Sequence, residues 1–336
     1  MDESTEGVSR PLPLSPKIST GVVRKADATQ LCRPGEPGTP VAIIAALASV
    51  YLIWSSTYFA IRVAVQSLPP FLTAGIRYLA AGLVMMVWAR FRGETIPARK
   101  AWMHSAVVAL LFFVVGNGFV ALASVHLGSG VIAVVCAMMP LWGAVMMPLI
   151  GERTSPREWA GLGVGFIGVL VLALGDDLRA DPMAAGLLML APIGWAFGSI
   201  LVKKLDVGRG AMGTAMQMVA GGGLTLLVSA VRGESMPSHV PTEAIAAVIY
   251  LATLGSLVGL TAYNYLLRHA RPALAMSYAY VNPVLAVFIG AALGGEHVSP
   301  RVGIAILLIV PAVIAIVAKP RQPVVAAAVG APQTES

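Results

Sequence analysis

The chain has 336 residues, 57% of them hydrophobic and only 12% charged, against roughly 25% charged in soluble domains. With a mean hydropathy of +0.80, this excludes an ordinary water-soluble protein, and the long unbroken apolar runs exclude a β-barrel, which needs short alternating segments. The net charge of +7 is scattered through short linkers, so it marks membrane topology and no nucleic-acid partner is expected.

Residues 1–40 are polar, rich in Pro and Ser/Thr, and lack an apolar stretch near the start. They read as a disordered cytoplasmic tail that is not a cleaved signal peptide. Ten apolar segments follow, at about 41–65, 70–90, 101–122, 128–149, 158–175, 183–202, 211–231, 243–267, 272–293 and 300–318, and 319–336 is a second cytoplasmic tail. The expected fold is therefore all-α integral membrane, with ten transmembrane helices. The linkers carry breakers and charges. Ser155-Pro156-Arg157-Glu158 has the S-x-x-E pattern of a capping box, with Pro at the first helical position. Ser299-Pro300 marks the start of the tenth segment in the same way.

The Lys and Arg residues fix an orientation. With the N-terminus inside, eighteen fall on the inner side and three, Arg179, Arg232 and Arg301, on the outer. Arg62 and Arg77 lie in or at the edge of spans. This bias places both termini in the cytoplasm.

The sequence also repeats about 140 residues apart. Trp54 in LIWSSTYFA matches Trp195 in PIGWAFGSI, His126–Pro140 matches His269–Pro283, and GERTSP at 151–156 recurs as GEHVSP at 295–300. The copies, 41–178 and 179–318, hold five spans each. An odd number makes the second copy inverted in the membrane, an arrangement suited to alternating access around a central cavity.

Pro140 with Gly151, Glu152 and Pro156, and Pro283 with Gly295, Glu296 and Pro300, give the chain its family likeness. On these residues it resembles the EamA-type carriers of the drug/metabolite transporter superfamily, over about 41–318. It is most similar to bacterial amino-acid exporters, including the aromatic amino-acid type. The resemblance implies a cavity lined by spans 1–4 and 6–9, with spans 5 and 10 packed outside. It also implies a bacterial inner-membrane transporter of small metabolites, amino acids first, with drug or nucleotide-sugar transport as the alternative.

Polar and aromatic groups deep in the apolar segments are the candidate substrate contacts. Trp54 and Trp195 could stack on a side chain or an ammonium group, or serve helix packing alone. Arg77, about 10 Å into span two, could clamp a carboxylate or snorkel to the headgroups. Tyr78 adjoins it, and the repeat sets Gln217 at the matching depth of span seven. Asn117, Asn264, Tyr278, Tyr280 and Asn282 complete the expected substrate-binding set, with Tyr263 and Tyr265 as further hydroxyls. Tyr278 and Asn282, four apart, share a helical face just before Pro283. These groups serve a cavity or act as interhelical glue. The glycines of span five and Gly221-Gly222-Gly223 permit close approach, with sliding or hinging.

No Asp or Glu lies in the interior of an expected span, which disfavours proton-coupled export of cations. There is no H-E-x-x-H, G-x-S-x-G or P-loop, so no enzyme, metal or cofactor is expected. The partners expected are a small molecule and the lipid bilayer, and the chain is a monomer or a homodimer.

Overall fold

The computed structural model describes residues 39–126, 132, 135–173, 182–294 and 300–317, and among them there is helix and no strand. Helix α1 is Pro40–Val65; Thr39 caps it, its Oγ1 accepting from Ala42 N at 3.3 Å. Helix α2, Pro70–Phe91, also begins on proline, whose missing N–H costs nothing there. Then come α3 (Arg99–His126), α4 (Met139–Met146, continued as the 3₁₀ turn Met147–Ile150) and α5 (Pro156–Ala173). The second half holds α6 (Pro182–Lys204), α7 (Gly210–Val231) and α8 (Thr242–His269). Helix α9 runs in two pieces, Pro272–Met276 and Tyr278–Gly294, and α10 is Pro300–Val317.

Each apolar segment thus contains helix. Among the described residues, six helices are long and apolar enough to cross a membrane: α1, α2, α3, residues Gly186–Lys204 of α6, α7 and α8. The fourth segment departs most from expectation. Pro140 sits in the first turn of a short helix, whereas Pro283 lies inside α9. The capping box forms as read: Ser155 N donates to Glu158 Oε2 at 2.8 Å, and Glu158 N to Ser155 Oγ at 3.3 Å. Glu296 and Ser299 lie outside the described residues.

Helices α2 and α7 run antiparallel in close contact. A Cβ on Gly82 would fall 2.7 Å from Val219 N, and one on Gly222 would fall 2.4 Å from Leu79 N, so only glycine fits. Gly82 and Leu79 each precede Gly222 and Val219 by 140 positions. The two contacts therefore exchange when the halves are swapped. Helices α5 and α10 pair in the same antiparallel sense, through Gly165 against Ala312 and Gly168 against Ile309.

The ends of α2 and α7 repeat the relationship. Both stop on Arg-Gly-Glu, with Gly93 (φ 83°) and Gly233 (φ 71°) left-handed. Glu94 N donates to Ala89 O and Glu234 N to Ser229 O, both at 3.0 Å. The turns aim each carboxylate at the start of the other helix. Glu94 accepts from Met212 N at 2.9 Å and from Ala211 N at 3.4 Å. Glu234 accepts from Leu72 N at 2.8 Å and from Phe71 N at 3.5 Å. Each acid thus satisfies orphan amides and faces the positive end of a helix dipole.

Linkers gather at the Glu94 end. Ser105 Oγ, early in α3, donates to Val207 O at 3.2 Å, and Arg268, late in α8, donates to Gly208 O at 2.5 Å. Glu152 pairs with Lys203 at 3.3 Å, and Glu158 with Arg271 at 2.6 Å. The linkers after α2, α4, α6 and α8 therefore meet at one end, as strict alternation of successive helices requires. Large apolar side chains such as Phe91, Val231 and Leu307 stand exposed on the outer surface of the bundle, a surface suited to lipid.

Candidate functional site

A cavity of about 70 Å³ lies in the middle of the bundle, with room for a few waters. Its wall takes residues from α1 (Trp54, Thr57, Tyr58, Ile61), α2 (Arg77, Tyr78), α3 (Phe113, Gly116, Asn117) and α6 (Trp195). Helix α8 adds Gly255 and Leu260, α9 adds Tyr278 and Asn282, and Cys136 and Met139 close the α4 side. Helix α7, expected in the wall, contributes nothing to it because its close face is spent on α2. Helices α5 and α10 stay outside.

Arg77 is the charged member of the wall, and it is buried. Its Nη2 donates to the Tyr78 hydroxyl, and its Cζ lies 4.2 Å from the Tyr78 ring centroid. Its Nε has no partner, and among the described residues it forms no ion pair. A buried guanidinium with an unpartnered donor and no counter-ion among the described residues favours an anionic group beside it. Ile61, Arg77 and Asn117 also wall a second space of about 10 Å³, which reaches Val65 and Pro70 at the α1–α2 linker.

The two repeat-equivalent tryptophans meet. Trp54 and Trp195 lie edge-to-face, with ring centroids 5.5 Å apart. Trp54 also touches Tyr263 at 5.1 Å and Tyr278 at 4.8 Å, while Trp195 stacks on Phe112 at 4.6 Å. Each is seated against an irregular stretch of the opposite half. Helix α3 is π-helical over Leu110–Gly118, and α8 over Leu251–Val258. In each stretch a side chain bonds five residues back: Asn117 Nδ2 to Phe112 O at 3.2 Å, and Ser256 Oγ to Leu251 O at 2.9 Å. Trp54 Nε1 donates to Gly255 O within the second stretch at 3.0 Å. The Trp195 ring fills the space beside Gly116 in the first.

Tyr278 donates to Met139 Sδ at 3.1 Å. Asn282, with its amide nitrogen turned to donate, reaches Tyr51 O at 3.2 Å and Tyr278 O at 3.1 Å. The structure thus brings Trp54, Arg77, Tyr78, Asn117, Trp195, Tyr278 and Asn282 around one space. Gln217 and Asn264 lie elsewhere, bonded to each other between α7 and α8. Tyr280 points away from the cavity and donates to Leu162 O of α5 at 3.0 Å. Arg62 is exposed, consistent with an interfacial position. Cys136 is buried and also lines the cavity. Tyr58, Phe112 and Phe113 belong to the same aromatic surround without having been singled out. Their sequence context is as apolar as the rest of their helices.

A family model described as the EamA-like transporter family matches this chain twice, over residues 40–174 and 182–318. The chain belongs to the EamA-like transporter family. The family is one of transporters, and the double match gives the repeat its two copies. The "Uncharacterized inner membrane transporter YedA" of Escherichia coli (strain K12) is 39% identical over 289 residues, covering 84% of this chain and 94% of that protein. An "Uncharacterized transporter" of Archaeoglobus fulgidus is 26% identical over 248 residues, covering 71% of this chain and 84% of that one. A solved crystal structure superposes with a TM-score of 0.70 at 19% identity, over 82% of this chain and 96% of that one. That likeness carries the fold alone.

Proposed function

We propose that this protein is a secondary carrier that exports small zwitterionic metabolites, amino acids first, across a bacterial inner membrane by alternating access. Its two five-helix repeats are inverted, and both termini face the cytoplasm. The observation that carries this reading is Arg77, a buried cation with no counter-ion among the described residues, in the wall of an aromatic cavity. A carboxylate supplies the missing charge, while Trp54, Tyr278 and Trp195 offer ring faces to an ammonium and faces or edges to an apolar or aromatic side chain.

Three further features support it. The contacts of α2 with α7 exchange between the halves, as inverted repeats require. The linkers that meet at the Glu94 end are those that the excess of Lys and Arg assigns to the cytoplasm. A relative is named as an inner membrane transporter. With the termini inside, the small space toward Val65 and Pro70 leads outward, and Arg77 stands between it and the main cavity. The cavity is far below the roughly 300–1,000 Å³ of common ligand sites, so carriage requires the halves to part around it.

The test is counterflow in proteoliposomes with labelled amino acids, sugars, nucleotide sugars and cationic drugs. Saturable, mutually competing flux of amino acids is the expected result. Flux of drugs or nucleotide sugars with none of amino acids would overturn the reading.

A further inference from the structure

We propose that Thr214, Gln217 and Asn264 form a second polar subsite for the transported molecule, on the other side of the α2–α7 crossing from Arg77 and closed in this conformation. The inference rests on the amino-acid carrier reading above. Arg77 stands seven residues after Pro70, where α2 begins, and Gln217 seven after Gly210, where α7 begins. Each start is capped by the reciprocal glutamate, Glu234 or Glu94. The exchange that turns Gly82–Val219 into Gly222–Leu79 therefore turns Arg77 into Gln217. Beside Arg77 there is a cavity. Gln217, Asn264 and Thr214 are closed in, with exposures of 0%, 2% and 3%.

The cluster is incomplete as a structural element. Asn264 Nδ2 donates to Thr214 Oγ1 and to Gln217 Oε1, both at 3.2 Å. Gln217 Nε2 and Asn264 Oδ1 are buried without partners. The amide orientations are set by their own contact: Asn264 Nδ2 faces two oxygens, Thr214 Oγ1 and Gln217 Oε1, which leaves the far end of each amide without a partner. Interhelical glue is effective when its groups are paired, and buried polar groups seldom go without a partner.

The orphaned pair suits a zwitterion. A side-chain N–H at position 217 faces a carboxylate oxygen, and a side-chain oxygen at 264 accepts from an ammonium. When the second half opens as the first closes, the substrate passes from one end set, with a fixed cation, to the other, which is neutral. The two subsites hold the same groups by different chemistry, charge at Arg77 and uncharged hydrogen bonds at Gln217 and Asn264.

The test uses the full chain in proteoliposomes and a panel of labelled L-amino acids. The double variant Gln217→Leu/Asn264→Leu removes the orphans without emptying the site. Amino-acid flux is expected to fall by about tenfold or more, while the melting temperature in detergent holds or rises. Unchanged flux overturns the subsite, and so does a fall in melting temperature alongside flux, which marks structural glue. If the double variant does not insert, Thr214→Cys in a Cys32→Ser/Cys136→Ser background is the second measurement. It is expected to react with a membrane-impermeant methanethiosulfonate and to be protected by the transported amino acid. Absence of reaction overturns the subsite, as does reaction without protection while Thr57→Cys in the main cavity is protected. If the wild type carries no amino acid at all, the carrier reading fails first, before any variant is made, and the subsite falls with it.

Discussion

The two ends of the α2–α7 pair share a frame and differ in chemistry. At each end a helix starts under a glutamate from the other half, and the backbones cross in the middle at glycine. Seven residues in from each start, one half places Arg77 beside a cavity and the other places Gln217 among packed amides. Duplication has kept the backbone contacts that hold the repeats together, and the side chains facing inward have diverged. The lesson is that symmetry in this fold resides in caps and glycines, while the inward side chains depart from it.

That comparison can be broken in three ways. The largest expected effect is at the crossing. Gly82→Leu and Gly222→Leu each drive a side chain into a backbone nitrogen, and each is expected to cost about 3 kcal/mol. Recovery of monodisperse protein by size-exclusion chromatography and the melting temperature are the measurements. Comparable losses uphold a shared frame, whereas tolerance of one and not the other would refute it.

The second concerns chemistry and should be unequal between halves. Arg77→Gln makes the two positions alike. For substrates with a carboxylate, flux at low concentration is expected to fall about 10–100-fold, the worth of a charge-assisted hydrogen bond. Carboxamide analogues should change little. Equal loss for both classes would give Arg77 a structural role.

The smallest effect is at the caps. Glu94→Gln and Glu234→Gln keep an acceptor and lose the charge, with an expected loss of about 0.5–1 kcal/mol each. The two should add in the double variant, because the caps sit at opposite ends of the pair. Strong non-additivity in thermal melts would mean that the ends are coupled through the bundle.

Much of the frame could be read in the sequence because apolar runs and linker charges follow from the bilayer itself. The pairing of Trp54 with Trp195 follows from the repeat. The reciprocal caps were readable too: Arg-Gly-Glu stands at 92–94 and again at 232–234, but a charged tripeptide in a linker does not announce its partner. The π-helical stretches left no mark, because a change from i+4 to i+5 bonding alters neither hydropathy nor composition. Tyr280 was readable against expectation. At about 100° per residue it lies some 200° around α9 from Tyr278, which turns it to α5 when Tyr278 faces the cavity. Burial of Gln217 and Asn264 away from the cavity depends on how α7 leans on α2, and that is set by glycine contacts across the repeat.

The reciprocal caps also limit how α2 and α7 can shift. An axial slip of one helical turn, about 5.4 Å, would strip Met212 from Glu94 and Leu72 from Glu234 together. Glycine contact at the crossing leaves no side chain to re-engage one turn further along. The pair is a keyed joint, held against axial travel by two caps that would fail together.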